Sequence, residues 1–342
     1  MRKVRVEDAV GMVLCHDITK IVPGEFKGVA FKKGHIIQEE DIPELLKIGK
    51  EHIYVWETRE GLVHENEAAL RLARAVCKGK LEITEPREGK VNLIAHQDGL
   101  LKVHVNCLNR VNCFDWLAVA TLHSNRVVRK GDLVAGVRVI PLVVEEAKIE
   151  QVEALCNEAK EGIIEVKPLL PLKAGLVTTG NEVFYGRIRD KFGPVLKEKL
   201  ARYGCKFLRQ IIVPDDIGEI ATAVKKLAAE GAQLILTSGG MSVDPDDVTP
   251  AGVRAAGGEI VAYGAPVLPG SMFMLAYLED IPVLGLPGCV MYNKTTVFDL
   301  VLPRILAGEK LTRQDIAFMG HGGLCNNCPN CTFPHCPFGK GS

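Results

Sequence analysis

One passage governs the fold of this 342-residue chain: Leu236-Thr237-Ser238-Gly239-Gly240-Met241-Ser242-Val243-Asp244-Pro245-Asp246-Asp247-Val248-Thr249-Pro250. The apolar run from Gln233 to Thr237 predicts a strand that ends in paired glycines. Thr249 then offers an N-cap, and Pro250 the first position of a helix reaching Ala256. Paired glycines let backbone N–H groups converge on an anion, and Thr237, Ser238 and Ser242 add hydroxyl donors. The bend is therefore composed like a phosphate cradle. Asp244, Asp246 and Asp247 follow directly, and beside a phosphate they would repel it unless a cation such as Mg²⁺ lay between. The alternative is that they only favour the helix N-terminus through its dipole.

The same succession extends to both sides. Ala174–Thr178 and Cys205–Val213 read as strands, and Gly193–Tyr203 and Asp216–Glu230 as helices. Further strands are predicted at Glu259–Tyr263, Met272–Leu278 and Val283–Leu286, followed by a helix from Val290 to Leu306. Strands alternating with helices imply parallel pairing with right-handed crossovers, and ligands of such sheets collect beyond the strands' carboxyl ends. Two more strands end in glycine punctuation, at Thr178-Thr179-Gly180-Asn181-Glu182 and Gly285-Leu286-Pro287-Gly288. All three loops are expected at one edge.

Before this block the pattern is mostly β. Residues 1–57 alternate short apolar runs, such as Ile53-Tyr54-Val55-Trp56, with turns such as Pro23-Gly24, around one short helix from Glu40 to Ile48. Apolar spacing predicts a helix from Leu62 to Val76, then strands at Val91–Ala95, Leu100–Val105, Trp116–Thr121 and Leu133–Val139 and a helix at Lys148–Lys160. His96, His104 and His123 lie on these strands as ordinary surface or core residues. The expected division is 1–60, 61–168, 169–310 and 311–342.

Lys plus Arg equals Asp plus Glu at 42 each, so no global basic field gathers nucleic acid or anionic membrane, and an anionic ligand has to be held locally. The N-terminus lacks the apolar core of a signal peptide and no apolar run reaches spanning length, which predicts a cytoplasmic protein. Seven of the eleven cysteines are scattered and read as small buried hydrophobes.

From Leu236 to Pro250 the chain resembles the signature of the molybdopterin-binding domain of MoeA-type molybdotransferases, MogA-type adenylyltransferases and CinA. The likeness covers residues 173–308: Thr179-Gly180-Asn181-Glu182-Val183 is similar to the family's first glycine turn, and Gly186 to Asp190 to its glycine-to-aspartate segment. Val213-Pro214-Asp215-Asp216 and Gly285-Leu286-Pro287-Gly288 match two further elements, and Asp8 to Ile18 looks like the opening of MoeA-type proteins. The implied fold is α/β, a parallel-sheet MogA-like domain preceded by β-rich accessory domains. The resemblance implies that Gly239, Gly240 and Ser242 hold the phosphate of molybdopterin or the molybdenum cofactor, with Thr237 and Ser238 beside them. Thr179, Gly180, Asn181, Glu182, Pro287 and Gly288 would line the same pocket. Asp247 takes the place of the family's acidic residue in metal-assisted chemistry, Asp190 that of a supporting carboxylate, and Asp244, Asp246 and Asp247 together the Mg²⁺ donors. The pattern departs from the family at Ser271, where a basic residue is usual, and at Cys289, Phe192 and Gln233. No covalent role is assigned to Cys289, although a thiolate would be favoured at a helix start.

The chain closes with Cys325, Cys328, Cys331 and Cys336, spaced by two, two and four residues. Four thiols within twelve positions, separated by prolines and asparagines, can turn around one metal centre, either a Cys₄ Zn²⁺ or a [4Fe–4S] cluster, with His335 and His321 as substitute ligands. A disordered, metal-free tail is the alternative.

Three functions follow. The first is cofactor assembly, in which the protein binds the phosphorylated pterin and inserts molybdate with Mg²⁺. The second is a non-catalytic carrier or sensor that hands finished cofactor to a molybdoenzyme. The third is nucleotide hydrolysis, as the likeness to CinA suggests. The resemblance also implies a homodimer, which no residue pattern here encodes.

Overall fold

A computed structural model describes residues 2–22, 26–55, 61–79, 81–159, 162–242 and 244–341. The expected turn at Pro23-Gly24, together with Trp56, Lys160 and Val243 of the segments named above, lies outside the described residues. The chain divides into two compact units, one of residues 1–96, 104–122 and 131–165, the other of residues 97–103, 123–130 and 166–342.

The first unit is an antiparallel assembly. Leu81–Ile83, Lys90–Ala95, Leu133–Val139 and Leu117–Thr121 form a four-stranded sheet in that order. Helices Glu65–Val76 and Glu146–Glu158 are joined by Arg71, which pairs with Glu146 and Glu153. The expected strand to Val105 ends earlier, at Val103, and Val105–Asn112 is a helix. His104 caps it: the ring Nδ1 accepts from the Cys107 N–H at 3.3 Å, which gives this histidine a structural use.

The second unit contains a six-stranded sheet in the order Lys206–Val213, Lys173–Thr179, Leu234–Ser238, Ile281–Leu286, Met274–Leu278, Glu259–Tyr263. The first four run parallel, with Ala174 opposite Leu234 and Ile235 opposite Val283. The last two pairings are antiparallel. The physical reason is the connection: only Glu279-Asp280 joins Met274–Leu278 to Ile281–Leu286, too short for a crossover helix, and Glu279 takes φ 55° to close the hairpin.

Alternate strand residues enter opposite layers. Leu176, Leu234, Leu236 and Leu284 pack with helices Phe192–Ala201 and Val297–Leu306 on one face. Val177, Ile235 and Val283 pack with helix Ile217–Ala229 and with Val253 of helix Thr249–Ala255 on the other. The period-two alternation thus builds a three-layer α/β domain with both sheet faces covered. The expected helix from Val290 to Leu306 is interrupted: Gly288–Met291 is a 3₁₀ turn, and the α-helix starts only at Val297 behind a Thr296–Asp299 capping box.

The C-terminal segment belongs to this core. Leu311, Ile316 and Phe338 are buried in it, and Phe333 packs on it. Leu268 N–H donates to the Gly323 carbonyl and Cys325 N–H to the Leu268 carbonyl, each at 2.8 Å.

Candidate functional site

Strand register fixes where the three glycine loops emerge. Thr178 lies opposite Ser238, and Ser238 opposite Leu286, so the residues that follow leave the sheet at one carboxyl edge. Gly239 and Gly240 both take positive φ, 91° and 56°. A Cβ on Gly239 would run into the Thr179 carbonyl, and one on Gly240 would approach Thr249 Oγ1 to 2.6 Å. The paired glycines therefore allow the bend to lie directly against the neighbouring loop.

Thr249 completes this contact and is not the helix cap. Its hydroxyl donates to the Gly239 carbonyl at 2.8 Å and lies 3.2 Å from Thr179 Oγ1, while the helix takes Val248 as its N-cap. Thr237 and Ser238 are fully buried, and their hydroxyls are committed to the Leu284 carbonyl and to Thr178 Oγ1. The expected pair of donors at this strand end is thus turned inward. Ser242 is exposed in the loop.

The acidic stretch folds on itself. Asp247 Oδ2 accepts from the Ser242 and Asp244 N–H groups, at 3.0 and 3.3 Å, and Asp244 and Asp246 are exposed. Tyr263, outside every motif, donates its hydroxyl toward the Met241 and Ser242 carbonyls at 3.1 Å each. From the other side Asp215 Oδ2 accepts the Asn181 N–H at 2.9 Å, tying the first glycine turn to the end of the edge strand. Burial pushes the Asp215 carboxyl above its ordinary range, and the charges of Glu182, Asp246 and Asp247 push it further against the Asn181 hydrogen bond. These carboxylates therefore share one electrostatic environment. Among the described residues, no group of three or more His, Cys, Asp or Glu side chains is close enough to hold a metal ion as it stands.

Asp190 sits behind the loops. Its carboxylate accepts from Phe192 N–H and Gly193 N–H at 2.9 and 3.0 Å, and from Gln210 Nε2 at 2.7 Å. Gln210 also donates to Thr178 Oγ1, the acceptor of Ser238. Pro287 is buried, whereas Gly288 is exposed with open space where a side chain would begin. Cys289 is partly buried, and burial pushes its thiol up. Asp215 and Tyr263 were missed by motif reading. Only the match of Val213 to Asp216 pointed at the first, and nothing local marks the second.

The four tail cysteines line one cleft of about 250 Å³, whose opposite wall is the segment Tyr292 to Thr295. His335 Nδ1 faces Arg126 at 2.8 Å. A second cavity of about 480 Å³ lies on the other side of the same segment, around the buried Lys199–Asp299 ion pair.

The fold and the loop edge define a doubly wound α/β domain whose three glycine loops leave one carboxyl edge of the sheet. Residues 175–307 match the family described as "Probable molybdopterin binding domain". Residues 3–57 match a family described as a domain of unknown function. The chain is similar to the molybdopterin molybdenumtransferase of Synechococcus elongatus, 28% identical over 173 residues, covering 48% of this chain and 43% of that protein. It is similar to a CinA-like protein of Mycobacterium sp. (strain MCS), 40% identical over 90 residues, 26% of this chain and 21% of that one. The chain thus spans less than half the length of these relatives. Among solved structures, MoaB of Thermus thermophilus aligns with a TM-score of 0.34 and 23% identity over 40% of this chain and 98% of that one. Among the described residues, no helix is long and apolar enough to cross a membrane.

Proposed function

We propose that the second unit binds molybdopterin or its adenylate at the three glycine loops and serves molybdenum-cofactor assembly, inserting molybdate with the help of Mg²⁺. The observation that carries this reading is the Gly239-Gly240 bend, packed against Thr179 and Thr249 at the tip of the central parallel strand. A rigid, glycine-lined strand end offers backbone dipoles to a terminal phosphate without reorganisation when the ligand arrives.

The donor set beside the bend suits a hard cation. Glu182, Asp215, Asp246 and Asp247 supply carboxylate oxygens; burial raises the Asp215 carboxyl, and the charges of the other three raise it further. Mg²⁺ bound there would supply positive charge where oxide or phosphate oxygen develops negative charge. The chain's own residues hold the geometry. Asp247 clamps the Ser242 and Asp244 N–H groups, Asn181 and Asp215 join the first loop to the edge strand, and Tyr263 anchors the bend. Asp190 acts one layer back, by fixing helix Phe192–Ala201 and Gln210.

A carrier that binds cofactor and passes it to a molybdoenzyme is the second reading. Ser271, where a basic residue would help hold an oxyanion, favours it. Turnover separates the two: with adenylylated molybdopterin, molybdate and Mg²⁺, a transferase yields active cofactor, whereas a carrier only binds. For the transferase, Asp247→Asn keeps an oxygen for the two N–H groups and so keeps the fold, while Mg²⁺-dependent turnover falls by a factor of roughly 10²–10³. Unchanged turnover would remove Asp247 from the site. The same reading places the protein in the cytoplasm as a homodimer, and gives the tail thiols a metal-binding role apart from the pterin.

A further inference from the structure

Cys325, Cys328, Cys331 and Cys336 come from a segment anchored at both ends. Cys325 N–H is bonded to the Leu268 carbonyl, and Phe338 is buried in the core at 3% exposure. The segment is therefore held at both ends, while its thiols do not stand close enough together to grip a metal ion without moving. All four face one cleft of about 250 Å³. Their chemistry is uniform: soft sulfur donors with no carboxylate among the cleft residues, a set that selects zinc or iron–sulfur centres over hard cations. Asn327 N–H already points at Cys325 Sγ, at 3.5 Å, and the Thr295 hydroxyl contacts Cys331 Sγ at 3.4 Å. Polar hydrogens directed at sulfur are the partners that thiolate ligands use around a metal.

The opposite wall matters as much as the thiols. Tyr292 to Thr295 continue from Pro287-Gly288, the third glycine loop, through a compact turn. Val290 N–H donates to the Pro287 carbonyl, and Asn293 donates twice to the Cys289 carbonyl, from its N–H and from Nδ2. Lys199, itself paired with Asp299, donates to the Lys294 carbonyl. Thr295 then touches Cys331. Separate hydrogen bonds, joined through the backbone of residues 287–295, thus lie between the third loop and a tail sulfur.

We infer that the four tail thiolates together hold one soft-metal centre, a zinc ion or an iron–sulfur cluster, in this cleft, and that its occupancy fixes the Gly288–Thr295 segment beside the third loop. Each thiol gives up its proton on ligation, and the metal replaces four separate side chains by one rigid unit. Neither the site nor its effect on the segment rests on the pterin reading.

The test uses the full chain purified without oxygen, then supplied either with Zn²⁺ alone or with equal parts Fe²⁺ and Fe³⁺ plus sulfide, which together balance to a [4Fe–4S]²⁺ cluster. Metal and sulfide content, with the visible absorption spectrum, distinguish the two sources. Either one zinc ion per chain or a coloured iron–sulfide centre supports the inference, and retention of neither overturns it. Cys328 and Cys331 are exposed, so the double variant Cys328→Ser, Cys331→Ser retains the fold and is expected to lose the metal, whereas Cys113→Ser, at another exposed cysteine, keeps it. A double variant with full metal content contradicts the assignment. Amide hydrogen exchange of residues 289–295, read without any pterin, is expected to slow by about tenfold on metal binding. Unchanged exchange with metal bound would overturn the coupling. Absence of pterin binding would leave each of these results standing.

Discussion

Gly239 is held at φ 91° with the Thr179 carbonyl where a side chain would start, while Gly288, in the third loop, faces open space. The two glycines consequently separate structure from access. Gly239→Ala is expected to destabilise the protein by about 2 kcal/mol or more, through left-handed strain and the collision together. Gly288→Ala should stay within about 0.5 kcal/mol of the parent in urea unfolding. Equal stabilities would mean that the bend does not need its glycine. Asp215 allows a test by pH. Its carboxyl is raised in the fold, so the favourable contribution of the neutral form is complete below the ordinary carboxylate range and lost as pH rises through the raised value. At neutral pH an ionised Asp215 faces other carboxylates, and a divalent cation relieves that repulsion. Thermal unfolding is therefore expected to shift upward with Mg²⁺ at about pH 7 and hardly at about pH 4, and Asp215→Asn should raise stability without Mg²⁺ and blunt the shift. A Mg²⁺ effect independent of both pH and Asp215 would place the cation elsewhere. The glycine pair was legible because its signal is local. The Asp215–Asn181 and Tyr263–Met241 bonds bridge 34 and 22 residues, and no periodicity or spacing encodes such partners.

At the scale of elements, the chain's own hydrogen bonds explain why residues that look catalytic are architectural. Asp190 satisfies two N–H groups at the start of helix Phe192–Ala201 and receives Gln210, which continues to Thr178 and Ser238. Asp190→Ala leaves those donors without their acceptor and is expected to cost about 1–2 kcal/mol, whereas Asp190→Asn, which keeps one oxygen, costs less. Chemical denaturation orders the variants, and an alanine variant as stable as the parent would contradict the role. Parallel strands were legible wherever a helix-length segment separated them. In the outer hairpin, Met274–Leu278 and Ile281–Leu286 are as apolar as the buried parallel strands, and the two residues between them decide the direction. Helix Val105–Asn112 was hidden by continuity: its first residue extends the apolar run of the preceding strand, and the break is made by His104 as a cap. Thr249 misled for a related reason. Threonine before proline is a common helix start, but here its hydroxyl turns back to Gly239.

Across the whole molecule, the alternation of apolar side chains in Leu234–Ser238 sets the architecture, sending Leu234 and Leu236 to one layer and Ile235 to the other. That pattern is visible in the sequence. The inclusion of the C-terminal segment in the core is not, because Phe333 and Phe338 stand apart among cysteines, prolines and glycines and their packing depends on partners far along the chain. The central claim is that the carboxyl edge of this sheet, at residues 237–249 with the first and third glycine loops, receives a phosphorylated pterin. Its most direct test is a crystal structure of the full chain grown with molybdopterin and Mg²⁺. The account predicts phosphate density against the Gly239–Ser242 backbone and a cation beside Asp215 and Asp247; pterin density away from these loops, or an edge left closed over its own side chains at saturating ligand, would contradict it.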